Sequence, residues 1–600
     1  MGAILLVGCG VGGGTPTDDL ICRGSGVIVG GKVTFIKRLY NERGLTGGRD
    51  VKPVRHALVE MVLEVDGRVV GTSYTDENGN YCVQARGVPI EFPAVYPRVA
   101  TRTNPSRFKI AVVDSINNPQ ASLYSRPGAS LDGTRPGTYN RDIAVPVLAD
   151  LGSGLVFPLS GAFNILDVAT EGAEAAIALA GRPPSAELLV GWTPGTVFGS
   201  GTIGTYFVGD DPTQRLAGIE LSGGAGGADP DSGDHDEFDD DVILHEFGHF
   251  MAYSFSKPAE AGGTHYLNDN TQDIRLAWSE GWATFFSAAV RNRSVMVNTR
   301  GGDPGHPEHD FSYSFEIETP HSDILSAPQI GTPLEDHGIY TTSEVSVSSV
   351  LWDLYDSRNE SGDRYAMGLQ GVWDLFTRLV TAPSNVSLET LATLFENQVG
   401  PSGITNLAAT AKLRRVQFFP DEYETGYGDY DDNQMADAPT VGPGVPGVVN
   451  EFTTCHTLYP AGDVDFVRIQ LTTPRSVTIE TFNLSNGADT VVQLLDANGN
   501  VVQIDVNGDG TLERLDSDNA PAPRLFTPTI CGNRVAQIPQ AYFDAGINNG
   551  ARLASTVSTG QVVLPAGTYY GKVISRATAG IGRNPAAGTL GSYDLIVTLD

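Results

Sequence analysis

The period of the apolar positions changes along this chain, and each change marks a different kind of building block. Between residues 26 and 145, short apolar runs such as Gly26-Val-Ile-Val-Gly30 and Ala57-Leu-Val-Glu-Met-Val-Leu-Glu-Val65 alternate with turn residues, which predicts strands. From about residue 150 the pattern lengthens. A helical stretch to Ala180 precedes strand-like Glu187-Leu-Leu-Val-Gly-Trp192, Gly204-Thr-Tyr-Phe-Val208 and Gly218-Ile-Glu-Leu221. Four helical stripes follow: Ile243, Phe247, Phe250 and Met251; Trp278, Trp282, Phe285 and Phe286; Val347, Val350, Leu351 and Leu354, with Ser343 as N-cap; and Leu369, Val372, Trp373 and Phe376. Another amphipathic run covers Ser387 to Phe395, and the chain turns acidic and then Pro/Gly-rich over 421–447 before strands resume.

These periods predict a multidomain α+β chain. A β-sandwich occupies 26–145. A two-lobed domain, a mixed-sheet lobe plus a helical lobe with a cleft between them, occupies 150–420. A linker fills 421–447, and a second β-sandwich runs over 448–600.

Composition narrows the partners. Six hundred residues with a net charge of -32 suit three or four exported domains and exclude nucleic acid and anionic membrane surfaces. Met1-Gly-Ala-Ile-Leu-Leu-Val-Gly-Cys9 is a short apolar run ending at a small residue and a cysteine, the form of an export signal. Leu6-Val-Gly-Cys9 resembles a bacterial lipobox, which implies a lipid on Cys9 and a glycine-rich tether over 1–25, although no basic residue precedes the run. No later stretch approaches the ~20 apolar residues of a membrane span. The remaining cysteines fall as one possible bridge per end module, Cys22 with Cys82 and Cys455 with Cys531, as an oxidising compartment favours; four buried thiols are the alternative. The expectation is a monomer outside a bacterial cell or on its surface.

The stripe at Ile243 carries the candidate chemistry. His245-Glu246-Phe247-Gly248-His249 is an H-E-x-x-H segment, and on a helix its imidazoles at i and i+4 share one face and reach one metal ion. Glu246 then faces the water on that metal as its general base. Asp239, Asp240 and Asp241 precede the stripe, where a helix N-terminus favours negative charge and a side-chain cap. A structural helix whose histidines only hydrogen-bond is the competing reading.

A catalytic zinc site takes a third protein ligand and keeps a fourth position open. Tyr253-Ser254-Phe255 stands where an extended H-E-x-x-H-x-x-G-x-x-H needs its last histidine, so that pattern fails. Glu280, within Trp278-Ser-Glu-Gly-Trp-Ala-Thr-Phe-Phe286, is the better candidate. The aromatic residues pack its helix and leave Glu280 toward the metal, and a buried glutamate without a cation is costly. His265 is a rival, beside the loop-like Asn268-Asp269-Asn270.

H-E-F-G-H followed by S-E-G-W-A-T-F-F resembles the gluzincins, the thermolysin-like zinc peptidases, and the E-G-W-x-x-F-F part is most similar to their fungalysin branch. The resemblance implies a thermolysin-like two-lobed fold for 150–420, zinc on His245, His249 and Glu280, and Glu246 as the base. One position departs. The family usually has Asp four residues after the glutamate ligand, holding a ligand imidazole, and this chain has Thr284; an uncharged hydroxyl lowers ligand basicity. Glu344-Val345 to Leu351-Trp352 resembles a fungalysin helix, a register that puts Tyr340 at the place of the family's oxyanion-stabilising histidine, with His337 three residues earlier. Either can donate to developing negative charge; a tyrosine packing at a helix start is the alternative.

The flanking modules carry resemblances too. Thr75-Asp76-Glu-Asn-Gly79-Asn-Tyr81 resembles the signature of carboxypeptidase-regulatory-like sandwiches, which implies a spacer or folding partner. Gly462-Asp463-Val-Asp465-Phe466, Ala488-Asp489-Thr490, Leu494-Leu-Asp496-Ala-Asn-Gly499 and Ala566-Gly-Thr-Tyr-Tyr570 resemble the bacterial pre-peptidase C-terminal domain, which implies export beside a peptidase. Asp505, Asn507, Asp509, Thr511 and Asp516, with Gly510, follow most of a calcium-loop pattern, and a hairpin turn fits equally. Two functions are therefore expected. One is an exported zinc metallopeptidase acting on a peptide or protein substrate, with Ca2+ as a possible second ion. The other is a surface binding protein using the peptidase fold and the sandwiches as a scaffold.

Overall fold

A computed structural model of the chain describes Cys22 and most of 26–599; the longest stretches outside the description are 300–312, 319–342, 411–433, 518–551 and 576–591. The first 145 residues form ten strands: β1 (Val27–Asn41), β2 (Gly44–Pro53), β3 (Ala57–Leu63), β4 (Val69–Tyr74), β5 (Asn80–Gln84), β6 (Val95–Thr103), β7 (Ile110–Val113), β8 (Ser125–Pro127), β9 (Gly137–Asn140) and β10 (Ile143–Val145). At 15 residues, β1 is long enough to serve two ladders. Its first half lies between β5 and β9, and its second half between β2 and β10. Val27, Val29, Val33 and Phe35 point into the core from it.

The second sheet crosses the boundary that the sequence places at 145–150. After the short hairpin of β11 (Ala149–Asp150) and β12 (Val156–Phe157), helix α1 (Leu159–Ala180) leads into β13 (Leu188–Trp192), β14 (Tyr206–Val208) and β15 (Ala217–Leu221). The eight-stranded sheet runs β14-β15-β13-β7-β6-β3-β4, with β8 also on β6. Strands on both sides of that boundary thus share a sheet and a hydrophobic core that extends from Val27 to Leu407. The reason is local: β7 meets β6 at a single pair, Arg102↔Ala111, but pairs in parallel with β13 over four residues. All four residues of β7 and all five of β15 are buried, the continuous apolar form of a parallel strand covered on both faces.

Among the described residues, four helices pack together after this sheet: α2 (Asp240–Phe255), α3 (Ile274–Arg291), α4 (Glu344–Tyr355) and α5 (Gly368–Arg378), with a hairpin of β16 (Val295–Asn298) and β17 (Tyr313–Glu316) after α3. The helices approach closely because two crossing points carry glycine. A Cβ on Gly248 would lie 2.7 Å from Ala283 Cα, and one on Gly281 would lie 2.6 Å from Val347 Cγ1. Trp282 stacks on Phe376 with ring centroids 3.5 Å apart, fastening α5 to α3. Ser343 caps α4 by accepting from Ser346 N at 3.1 Å.

Beyond the linker, two further sheets enclose a separate core that includes Val467, Ile469, Val477, Ile479, Val573, Leu595 and Val597. One sheet orders Thr440–Val441, Val464–Leu471, Gly567–Ser575, Thr490–Asp496 and Asp516–Ser517; the other orders Glu451–Thr457, Ser592–Leu599, Val477–Ser485 and Arg552–Ala554. The chain is mixed α and β, with many strands in several sheets and few helices. Both end modules build the same turn from sequences that differ at one position in five. In Asp76-Glu-Asn-Gly-Asn80 and Asp496-Ala-Asn-Gly-Asn500, the aspartate Oδ1 accepts from the backbone N–H two and four residues on. The glycine takes φ of +79° in one and +83° in the other, a conformation that excludes most other residues.

Candidate metal centre

Helices α2 and α3 run antiparallel, and their paired positions fix what faces what. Ser287 Oγ donates to Asp241 O at 2.8 Å, His245 Nδ1 lies 3.1 Å from Thr284 Oγ1, and Trp282 Nε1 donates to Gly248 O at 3.1 Å. His249 Nδ1 lies 3.3 Å from Ser279 Oγ. Each imidazole is therefore held at Nδ1 by a hydroxyl of α3, and each turns its Nε2 inward. There His245 Nε2 and His249 Nε2 lie 3.1 and 3.2 Å from the same oxygen, Oε2 of Glu280.

That donor set fits zinc. Two imidazole nitrogens and a carboxylate oxygen lie within 4.8 Å of one another. Ligand atoms about 2.0–2.1 Å from a tetrahedral zinc stand about 3.3 Å apart, close to the Nε2–Oε2 separations, and three protein ligands leave one position open. Ser279 and Thr284 supply the outer hydrogen bonds that set a ligand's tautomer and orientation. Glu246, one residue after His245 on the same helix, is buried.

The sheet reaches this centre through β14. Phe207 stacks on His249 with ring centroids 6.3 Å apart and planes 22° from parallel, and it also meets Phe250 and Tyr253. Among the described strands β14 is the last of its sheet and antiparallel to β15.

The three aspartates at the start of α2 do something other than cap it. Asp239 makes no side-chain cap bond; its carboxylate accepts from the Thr299 amide and hydroxyl. Asp240 pairs with Lys37 of β1 and with Arg291 Nη1 at 2.8 Å, and Asn164 of α1 donates to it at 3.1 Å. Asp241 pairs with Arg293 and with Arg291 Nε at 3.2 Å and accepts from Val297 N at 3.0 Å. At most 2% of any of the three is exposed, so their charges are answered by distant cations and amides rather than by solvent at a helix end. Burial opposes ionisation of Asp240, yet Lys37 and Arg291 together hold it below the usual carboxylate range.

Of the residues singled out in the sequence, His245, Glu246, His249, Glu280 and Thr284 come together here. Cys22 and Cys82 form a disulfide with Cα atoms 5.8 Å apart. Cys455 lies in the strand Glu451–Thr457 opposite Asp594, and Asp516 lies opposite Gln493. Cys9, His265, His337, Tyr340, Asp505, Asn507, Asp509, Thr511 and Cys531 lie outside the described residues. Sequence reasoning missed Ser279 and the cations Lys37, Arg291 and Arg293. A serine adjacent to Glu280 gives no periodic signal, and Lys37 sits on a strand some two hundred positions from its partner.

No family model matches the chain. A protein of Archaeoglobus fulgidus described as uncharacterized is 31% identical over 122 residues, 20% of this chain, so that the match spans only 28% of that protein's length. Among solved structures, the pre-peptidase C-terminal domain of a collagenase from Bacillus anthracis is 12% identical, with 27% of this chain and 95% of that domain covered and a TM-score of 0.14. A 9R-lipoxygenase from Cyanothece is 16% identical, with 26% of this chain and 25% of that one covered and a TM-score of 0.12.

Proposed function

We propose that this chain is a zinc-dependent metallopeptidase that works outside the cell or anchored at its surface. One observation carries the reading: His245 Nε2 and His249 Nε2 converge on Glu280 Oε2 at 3.1 and 3.2 Å, with Glu246 beside them on α2. When bound, zinc supplies Lewis acidity toward a carbonyl oxygen and makes water acidic enough to attack near neutral pH. Glu246 takes the proton from that water and returns it to the departing amine. Thr284 and Ser279 keep the two imidazoles in the Nδ1-bonded orientation that presents Nε2. Strand β14, at the sheet edge beside His249, offers backbone groups to an extended peptide. Tyr340 or His337 donates to the oxyanion, an assignment that rests on sequence register alone.

The Cys22–Cys82 disulfide supports an oxidising compartment. The lipid on Cys9, the pre-peptidase-like role of the last sandwich and calcium at Asp505–Asp516 belong to the same proposal. Glu246→Gln tests it. The variant keeps its zinc and loses casein hydrolysis by about 10²–10⁴-fold, the usual contribution of a general base. Hydrolysis at the wild-type rate would refute the assignment. A second reading, a surface binding protein on a peptidase scaffold, draws on the uncharged Thr284 at His245 Nδ1. It predicts a metal-free, inactive wild-type chain whose fold is unchanged by chelator.

A further inference from the structure

Helix α2 presents two donor atoms of the centre and α3 the third, so the site exists only at one axial register between them. A slip of a single residue moves a side chain about 1.5 Å along its helix and about 100° around it. The register is held at two places. At the ligands themselves, Gly248 lies against Ala283 and accepts from Trp282 Nε1. The other place is one turn before His245, where Asp240 and Asp241 meet Arg291 at the far end of α3 and Arg293 just beyond it.

The second pin is completed from outside these helices. Lys37, only 13% exposed, comes from the middle of β1 and pairs with Asp240, whose side chain is 2% exposed. Of the three buried carboxylates, Asp240 and Asp241 pair with three cationic side chains, Lys37, Arg291 and Arg293, while Asp239 accepts from Thr299. Two of these cations come from α3 or its end, and the third comes from the N-terminal sandwich. Tyr40, three residues further along β1, lies under Arg293 with its ring centroid 5.8 Å from the guanidinium carbon.

We propose that Lys37 is a positioning residue for the metal centre: by completing the charge balance at the start of α2, strand β1 sets the α2–α3 register and hence metal affinity. This rests on the zinc reading above and assigns the N-terminal sandwich a part in the site rather than the part of a spacer. Without Lys37 a buried carboxylate loses one of its two cations. The start of α2 then shifts toward solvent, carrying His245 away from Thr284 and Glu280.

The test is zinc affinity of the full chain, measured by competition with a chelator at a temperature where every variant is folded. Lys37→Met weakens zinc by about tenfold, the low end of the range for outer partners of metal ligands, because Lys37 acts through Asp240 rather than on a ligand. Lys37→Arg, which keeps the charge, stays within about threefold of wild type. Lys52→Met, on the neighbouring strand and 42% exposed, leaves affinity unchanged. A role confined to stability lowers the melting temperature of the metal-free chain and leaves the zinc constant where it was, and that result in Lys37→Met would overturn the proposal. Should Lys37→Met not fold, Asp240→Asn breaks the same pair from the other side, and unchanged zinc affinity there overturns it equally. A wild-type chain that takes up no zinc refutes the reading beneath the proposal; equal zinc binding by wild type and Lys37→Met refutes only the proposal.

Discussion

Along about two and a half turns of helix α2, buried carboxylates meet two different kinds of partner. At its start, Asp239, Asp240 and Asp241 face lysine, arginine and backbone amides that the chain itself supplies. Farther on, Glu280 of α3 faces two imidazole nitrogens, both oriented from behind by hydroxyls. The first cluster pairs charge with charge and acts on the centre only by placing the start of α2. The second gathers electron-pair donors around one point, the arrangement a cation stabilises. Acidic residues near one another in sequence thus tell nothing of role until their partners are known.

Removing one carboxylate from each cluster breaks the comparison where its effect is largest. Asp241→Ala leaves Arg293 without this carboxylate and Arg291 with Asp240 still beside it, and costs about 3 kcal/mol of folding free energy, the low end for removing one partner of a buried pair. Glu280→Gln leaves the metal-free chain within about 1 kcal/mol of wild type, since the amide fills the same volume. It also abolishes the stabilisation that zinc confers on wild type. Denaturant titration with and without zinc reads both. Equal losses in the two metal-free variants would erase the distinction between the clusters.

A third ionic group lies between these extremes. Arg55 of the N-terminal sandwich donates to Asp167 at 2.6 Å and to Glu174 at 2.7 Å, both on α1, and His56 Nε2 lies 3.3 Å from Glu174. Burial works against ionisation of Glu174, but the His56 and Arg55 contacts prevail and hold it at about 2, against an ordinary 4.5. A carboxylate lowered on folding stabilises fully above its unfolded value, and that stabilisation is lost as pH falls through the folded one. Between pH 4.5 and 2 wild type therefore loses about 2 kcal/mol more than Glu174→Gln, a figure reduced for the partial exposure of the group. Parallel acid-unfolding curves would remove this pair from the forces that join sandwich to helix.

How much of this was legible in the sequence follows from how local each signal is. The spacing of His245 and His249 is a property of one helix, and the aromatic pattern around Glu280 of another, so both can be read from short stretches. The cap expected from Asp239 was wrong for a tertiary reason. Thr299, sixty positions on, offers its carboxylate a buried amide and hydroxyl, and no local pattern announces that partner. The break expected at 145–150 failed similarly. Strand β7 reads as one more strand of the first sandwich until β13 is found beside it, and strand neighbours across 74 intervening positions leave no periodicity.

The smallest effect concerns the hydroxyl where the resembling family has an acid. Thr284 Oγ1 lies 3.1 Å from His245 Nδ1, and Thr284 is buried. Thr284→Val keeps the shape and removes the only polar atom of that side chain, leaving the imidazole N–H without this acceptor. Zinc affinity falls by about tenfold, the low end for an outer partner because a neutral hydroxyl adds less basicity than a carboxylate. Folding of the metal-free chain changes by about 1 kcal/mol or less. The ratio of these two effects is the informative quantity. At the aspartate end a substitution shows in the stability of the metal-free chain as well as in the metal constant, whereas here it shows in the metal constant with little change in that stability. A Thr284→Val chain with wild-type zinc affinity would mean that packing alone orients His245, and the hydroxyl would then belong with the fold rather than with the centre.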